Sequence, residues 1–153
     1  MTESHRAPGS ADTAEPLNIV VLASGTGSLL QSMLDTLDTG RVRVVAVGSN
    51  KDCRAIERAT DAGIPTFRVD FDAAARADRA GWDTRLLDAV AGHEPDLVVS
   101  AGFMRILGQS FIDAYPDRII NTHPALLPSF PGAHAVDDAL AHGVKVTGTT
   151  VHI

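Results

Sequence analysis

Cysteine is almost missing from this 153-residue sequence: Cys53 stands alone, so no internal disulfide framework and no cysteine-rich zinc site can form. No run of roughly 18 apolar residues occurs, which excludes a membrane-spanning helix. Positive charge is also short, with 13 basic against 19 acidic residues and a formal charge of −6. That deficit argues against general nucleic-acid binding, where a basic face supplies most of the affinity. A small-molecule ligand is the expectation, with no nucleic acid and no membrane as partner and a cytoplasmic location. What is present, 44% apolar and 21% charged residues, describes an ordinary globular domain with one core.

Residues 1–16 are rich in Ala, Ser, Thr, Gly and Pro and lack the apolar stretch of a secretion signal, so they read as a flexible tail. From Leu17 the pattern becomes short apolar runs separated by helical stretches, one domain over 17–153. Leu17–Leu22 is a strand, followed by a glycine turn and a helix whose Leu29, Leu30, Met33, Leu34 and Leu37 recur at helical spacing. Further strands are expected at Val42–Val47, Pro65–Val69, Pro95–Ala101, Arg118–Asn121 and Val146–Ile153. Helices are expected at Cys53–Ala62, closed by Gly63 and Pro65, at Gln109–Tyr115 and at Ala135–His142. Asp72–Ala91 should be helical at least in its second half, with Gly81 as the point of interruption. Such alternation implies an α/β fold, a doubly wound and mainly parallel sheet. Ligands bind such sheets at the carboxyl ends of the strands, so the loops at Ser24, Gly102 and Asn121 should converge.

Two motifs sit at those ends. Gly25-Thr26-Gly27-Ser28 lies between strand and helix, where free N–H groups and the helix dipole favour an anion. No Gly-Lys-Ser/Thr follows, Leu30 replaces the third glycine of the dinucleotide fingerprint, and Gly48-Ser49-Asn50 lacks an acidic residue for a ribose diol. A phosphomonoester is therefore favoured over a dinucleotide. Taken alone, the loop is equally a tight turn with Ser28 as helix cap. The second motif is Asn121-Thr122-His123-Pro124. Residues two apart on a strand share a face, so an amide could donate to a developing oxyanion while an imidazole moves a proton. Spacing alone also fits an ordinary surface histidine.

The runs Ser24–Ser28, Ala101-Gly102-Phe103-Met104-Arg105-Ile106-Leu107 and Asn121-Thr122-His123-Pro124-Ala125-Leu126-Leu127-Pro128-Ser129-Phe130-Pro131-Gly132 resemble, in order and spacing, the phosphoribosylglycinamide formyltransferases of purine synthesis. Methionyl-tRNA formyltransferases and formyltetrahydrofolate hydrolases share the Asn-x-His core but usually differ in the loop that follows. The resemblance implies a Rossmann-like formyltransferase fold and formyl transfer from 10-formyltetrahydrofolate, the co-substrate, to the amine of 5-phosphoribosylglycinamide, without metal. It implies Asn121 and His123 as the catalytic pair and Gly25, Thr26, Gly27, Ser28 and Leu29 around the substrate phosphate, Leu29 standing where the family often has Asn. Met104, Arg105, Ile106 and Leu107, with Asn121 and Arg79, would contact the folate; Arg79 reads equally well as a solvated helix charge. Thr150 and His152 would support the catalytic pair from behind. Oligomeric state, a homodimer included, is left open.

The family also uses an Asp beyond the strand that here reads Thr147–Ile153, where it raises the pKa of the His. The sequence ends first. The fold is accordingly expected to be incomplete at the C-terminus and the chain to show little transformylase activity. A formyl-folate-using relative of other specificity, or a non-catalytic phosphate-binding module, are the alternatives. His93, His134 and His142 lie near helix ends, where dipole, capping or surface roles are the default. Cys53 is either an activated helix-start thiol or an inert one.

Overall fold

The computed structural model describes residues 14–153, so most of the expected tail, 1–13, lies outside the described residues. Six strands form one sheet: β1 (Leu17–Leu22), β2 (Val42–Ser49), β3 (Thr66–Arg68), β4 (Leu97–Ser100), β5 (Ile119–His123) and β6 (Thr150–His152). Their order is β3-β2-β1-β4-β5-β6. All neighbours run parallel except β5 and β6. Six helices cross between strands or cover them: α1 (Ser28–Thr36), α2 (Arg54–Asp61), α3 (Ala73–Ala77), α4 (Arg79–Ala91), α5 (Gln109–Ala114) and α6 (Ala135–His142).

Strand β1 is central and buried on both faces, which is why its sequence is a continuous apolar run rather than an alternating one. Ile19, Val21 and Ala23 pack with Leu30 of α1 and Ala55 and Ala59 of α2. Val20 and Leu22 pack on the opposite face with Trp82, Leu86 and Val90 of α4 and Phe111 of α5. The chain leaves β1 toward β2 on one side and later returns to place β4 on the other. Such a reversal is where doubly wound sheets form a ligand crevice, here at the carboxyl ends of β1 and β4.

Three expected boundaries are corrected. The segment 72–91 breaks at Asp78, not at Gly81. The Asp78 carboxylate caps α4 by accepting from the Gly81 N–H at 2.9 Å, and a Cβ on residue 81 would lie 2.2 Å from Asp78 Oδ2. Gly81 thus serves the cap of a helix that it was expected to interrupt. Strand β5 extends past Asn121 to His123, because β6 supplies an antiparallel partner for its last three residues. Strand β6 is confined to the three residues so paired, shorter than Val146–Ile153.

Trp82 is fully buried. Its Nε1–H donates to the Val69 carbonyl at 2.9 Å, and Phe71 meets the indole edge-on at 5.0 Å. Replacing Trp82 by Ala should cost about 3–5 kcal/mol, read as a lower urea midpoint with an unchanged slope. Burial raises the Tyr115 phenol above its ordinary 10.0, opposed by Arg118. The unfolded phenol loses its proton first, so this contribution is present below pH 10.0 and fades as pH rises through the folded value. Tyr115→Phe should flatten that alkaline loss in denaturation curves collected across the range.

Candidate active site

The crevice is closed at its base by one hydroxyl. Ser24, 1% exposed, donates from Oγ to Asn50 Oδ1 at 2.5 Å and accepts the Met104 N–H at 2.8 Å. Its own N–H donates to the Gly102 carbonyl at 3.1 Å, and the Ala23 N–H to the Gly48 carbonyl at 3.0 Å. The chain segments leaving β1, β2 and β4 are thereby tied to one another.

From this knot the loop 25–28 climbs to α1. Gly27 is the residue before the helix, at φ 72°, with no side-chain cap; the expected Ser28 cap is absent because Ser28 already lies in the first turn. Both the left-handed backbone and the close approach require glycine, since a Cβ there would sit 2.7 Å from the Ala55 Cα. Helix α2 takes up the loop's carbonyls: the Ala55 N–H donates to Gly25 at 3.1 Å and Arg58 Nε–H to Thr26 at 2.7 Å. Among the described residues, none of the backbone N–H groups from Gly25 to Leu30 has a protein acceptor. These unpartnered donors and the positive end of α1 form an anion cradle. Leu29, in the first turn of α1, is 40% exposed.

Across the sheet, Leu22 pairs with Ser100 and Ser100 with Asn121. Two strand spacings of about 4.8 Å put Asn121 roughly 10 Å from the end of β1. Antiparallel pairing sets His152 opposite Asn121 and Thr150 opposite His123, so the four side chains share a face. Asn121 Nδ2 lies 3.2 Å from His152 Nε2. An amide NH2 only donates, so His152 Nε2 accepts, and its Nδ1–H is the donor to the Ile153 carbonyl at 3.2 Å. His123 Nε2 lies 2.8 Å from the Phe130 carbonyl. Thr150 Oγ1 donates to the Ala125 carbonyl at 2.7 Å and accepts the Leu127 N–H at 3.0 Å. It staples the loop after β5 to β6.

The segment 103–107 forms the remaining wall. Phe103 is buried in the core, whereas Met104 and Ile106 are 62% and 85% exposed, large apolar side chains presented beside the crevice. Leu107 packs partly against the core. Arg79 braces this wall: Nη2 donates to the Ile106 carbonyl and Nε to Asp83 at 2.9 Å. Its guanidinium lies 5.3 Å from the Phe71 ring centroid. Arg79 is thus a partly exposed helix-face charge, 40% exposed and paired with Asp83 four residues on, that also reaches the wall through the Ile106 carbonyl. The Arg105 guanidinium stacks 4.1 Å above Phe71, and its Nε is buried with no partner among the described residues.

Sequence reasoning missed Asn50, Arg58 and Phe130 as parts of the site. Each acts through a partner distant in sequence or through a main-chain atom, and no short motif carries such a signal. His93 stacks on Phe67 at 5.5 Å, and His134 precedes α6 without a side-chain cap bond. The Cys53 thiol lies 3.4 Å from Ser49 Oγ. Among the described residues no group of three His, Cys, Asp or Glu side chains is placed to hold a metal, and no helix is long and apolar enough to cross a membrane. Ser24→Ala should strand the Met104 N–H and Asn50 Oδ1, costing about 1–3 kcal/mol; chemical denaturation of the variant beside the parent checks it.

The sequence matches the formyl transferase family over residues 17–153. It is 56% identical over 154 aligned residues to phosphoribosylglycinamide formyltransferase of Mycobacterium tuberculosis, covering 100% of this chain and 69% of that one. Identity to the Escherichia coli protein of the same name is 45% over 139 residues, 89% of this chain and 65% of the other. Its fold is similar to the crystal structure of glycinamide ribonucleotide transformylase 1 from Symbiobacterium toebii, with TM-score 0.83 at 42% identity, over 90% of this chain and 66% of that one. The chain thus spans about two thirds of the length of these relatives. On sequence and fold alike, it belongs to the formyl transferase family, and these relatives within that family are phosphoribosylglycinamide formyltransferases.

Proposed function

We propose that this chain holds the reactants and the catalytic pair for formyl transfer from 10-formyltetrahydrofolate to the primary amine of 5-phosphoribosylglycinamide, a cytoplasmic step of purine synthesis between two small molecules, with low turnover expected of these 153 residues by themselves. The observation that supports this reading is the row Leu22, Ser100, Asn121 across the sheet, which sets the glycine loop after β1 and the amide–imidazole pair of β5 at the same end of the sheet. The cradle at Gly25–Leu29 holds the substrate phosphate. The folate lies along Met104, Arg105, Ile106 and Leu107, where the exposed apolar side chains of Met104 and Ile106 match a flat heteroaromatic ring.

In the transfer, the amine attacks the formyl carbon, forming the new C–N bond and a tetrahedral centre whose oxygen carries the negative charge. Asn121 has two N–H groups and gives one to His152; the other is available to that oxyanion. Fixed donors that need no reorganisation are worth most at this point. Collapse breaks the bond to N10 of the folate. The attacking amine gives up a proton and N10 gains one, and His123 is the group placed to carry it. Its Nε2 is occupied by the Phe130 carbonyl, while Nδ1 has no partner among the described residues.

The decisive test pairs binding with turnover. Calorimetry should show saturable binding of 5-phosphoribosylglycinamide that Gly27→Ala abolishes, because the added Cβ meets α2. Absorbance assays of folate turnover should show Asn121→Ala slowing formyl transfer by about 100–1,000-fold. His123→Ala should slow it by about 100–10,000-fold. Absence of binding by the parent chain, or turnover undiminished in His123→Ala, contradicts the proposal.

A further inference from the structure

We infer that Phe130 is a positioning residue for His123, its main-chain carbonyl holding the imidazole as the Nε2–H tautomer so that Nδ1 is the atom that moves the proton. The inference deepens the proposed formyl transfer and takes its catalytic meaning from it.

A carbonyl oxygen only accepts, so the 2.8 Å contact between His123 Nε2 and Phe130 O requires the proton on Nε2. The neutral ring then carries its lone pair on Nδ1. When Nδ1 takes up a proton, the Nε2–H bond to Phe130 stays in place. The ring can therefore cycle between base and acid without rotating. A partner that could both donate and accept, such as a hydroxyl, would not impose this single tautomer.

Phe130 presents this carbonyl from a backbone at φ 51°. A bulky residue in the left-handed region is an outlier, and a residue before proline, as Phe130 is before Pro131, is ordinarily biased toward extended backbone. Two local preferences are overridden at the one residue whose carbonyl meets the catalytic imidazole. What holds it there is tertiary. The Phe130 ring meets the His142 ring of α6 edge-on at 5.7 Å. The start of the same loop is fixed by Thr150, and its middle by the Ser129 N–H donating to the Leu126 carbonyl at 3.0 Å.

The test reads the tautomer directly on the full chain without substrate, so it stands whatever becomes of the substrate assignment. Two-bond proton–nitrogen correlation spectra of histidine-labelled protein, recorded where the ring is neutral and assigned by subtraction with His123→Gln, should show a pyrrole-type Nε2 and a pyridine-type Nδ1. The opposite tautomer, or an even mixture, overturns the inference. Phe130→Ala should shift the His123 signals toward the mixture while leaving His93, on the far side of the sheet, unmoved; Phe130→Tyr should keep the parent pattern. In turnover assays Phe130→Ala should lower kcat by up to about 100-fold with KM unchanged, and Phe130→Tyr should restore it. A Phe130→Ala protein with parent-like His123 signals also overturns it.

Discussion

A buried serine hydroxyl decides where this molecule can bind anything. Ser24 sits at the point where the sheet reverses its winding, and its Oγ joins the chain leaving β2 to the chain leaving β4. Each of those bonds is worth little net, but leaving its partners buried and unpaired would cost more. The three loops are thus held at a fixed separation. Everything that follows, the glycine turn above Ser24 and the apolar wall that begins at Met104, is positioned from that knot.

The loop 25–28 separates its donors from its acceptors. Helix α2 engages the carbonyls of Gly25 and Thr26, and the N–H groups are left for a guest. A main-chain cradle of this kind can favour an anion through its free N–H groups even in a chain of net charge −6. The same economy appears on β5. Asn121 has one N–H, and His123 one ring nitrogen, held by the protein, by His152 in one case and by Phe130 in the other, and each keeps a second without a partner among the described residues. Orientation is fixed in advance of binding, which is the condition for electrostatic stabilisation of a developing charge.

Much of the fold was legible in order and type. Apolar runs identified β1 and β4, and the glycine and proline signals at Gly63 and Pro65 closed α2 near its observed end. Misreadings share one cause. Gly81 looked like a breaker because propensity says so, yet the Asp78 carboxylate needs the space a side chain would fill. Strand β5 looked short because its last residues, Asn121-Thr122-His123, carry no β-typical run; an antiparallel neighbour far along the chain extends it. The bond from Arg79 to the Ile106 carbonyl spans 27 positions and leaves no local trace.

The amino-acid sequence by itself determined the alternation of strand and helix, the placement of a glycine turn where a strand meets a helix, and an amide and an imidazole on one face of a strand. Those are consequences of period, propensity and backbone freedom, which act over a few residues. Tertiary structure alone decided that Arg58 takes up the loop's Thr26 carbonyl, that Ser28 does not cap α1, and that His123 presents Nδ1 rather than Nε2. Each of these depends on a hydrogen bond or pairing to a main-chain or side-chain atom contributed by another element, and such partners exist only once the sheet has brought them together.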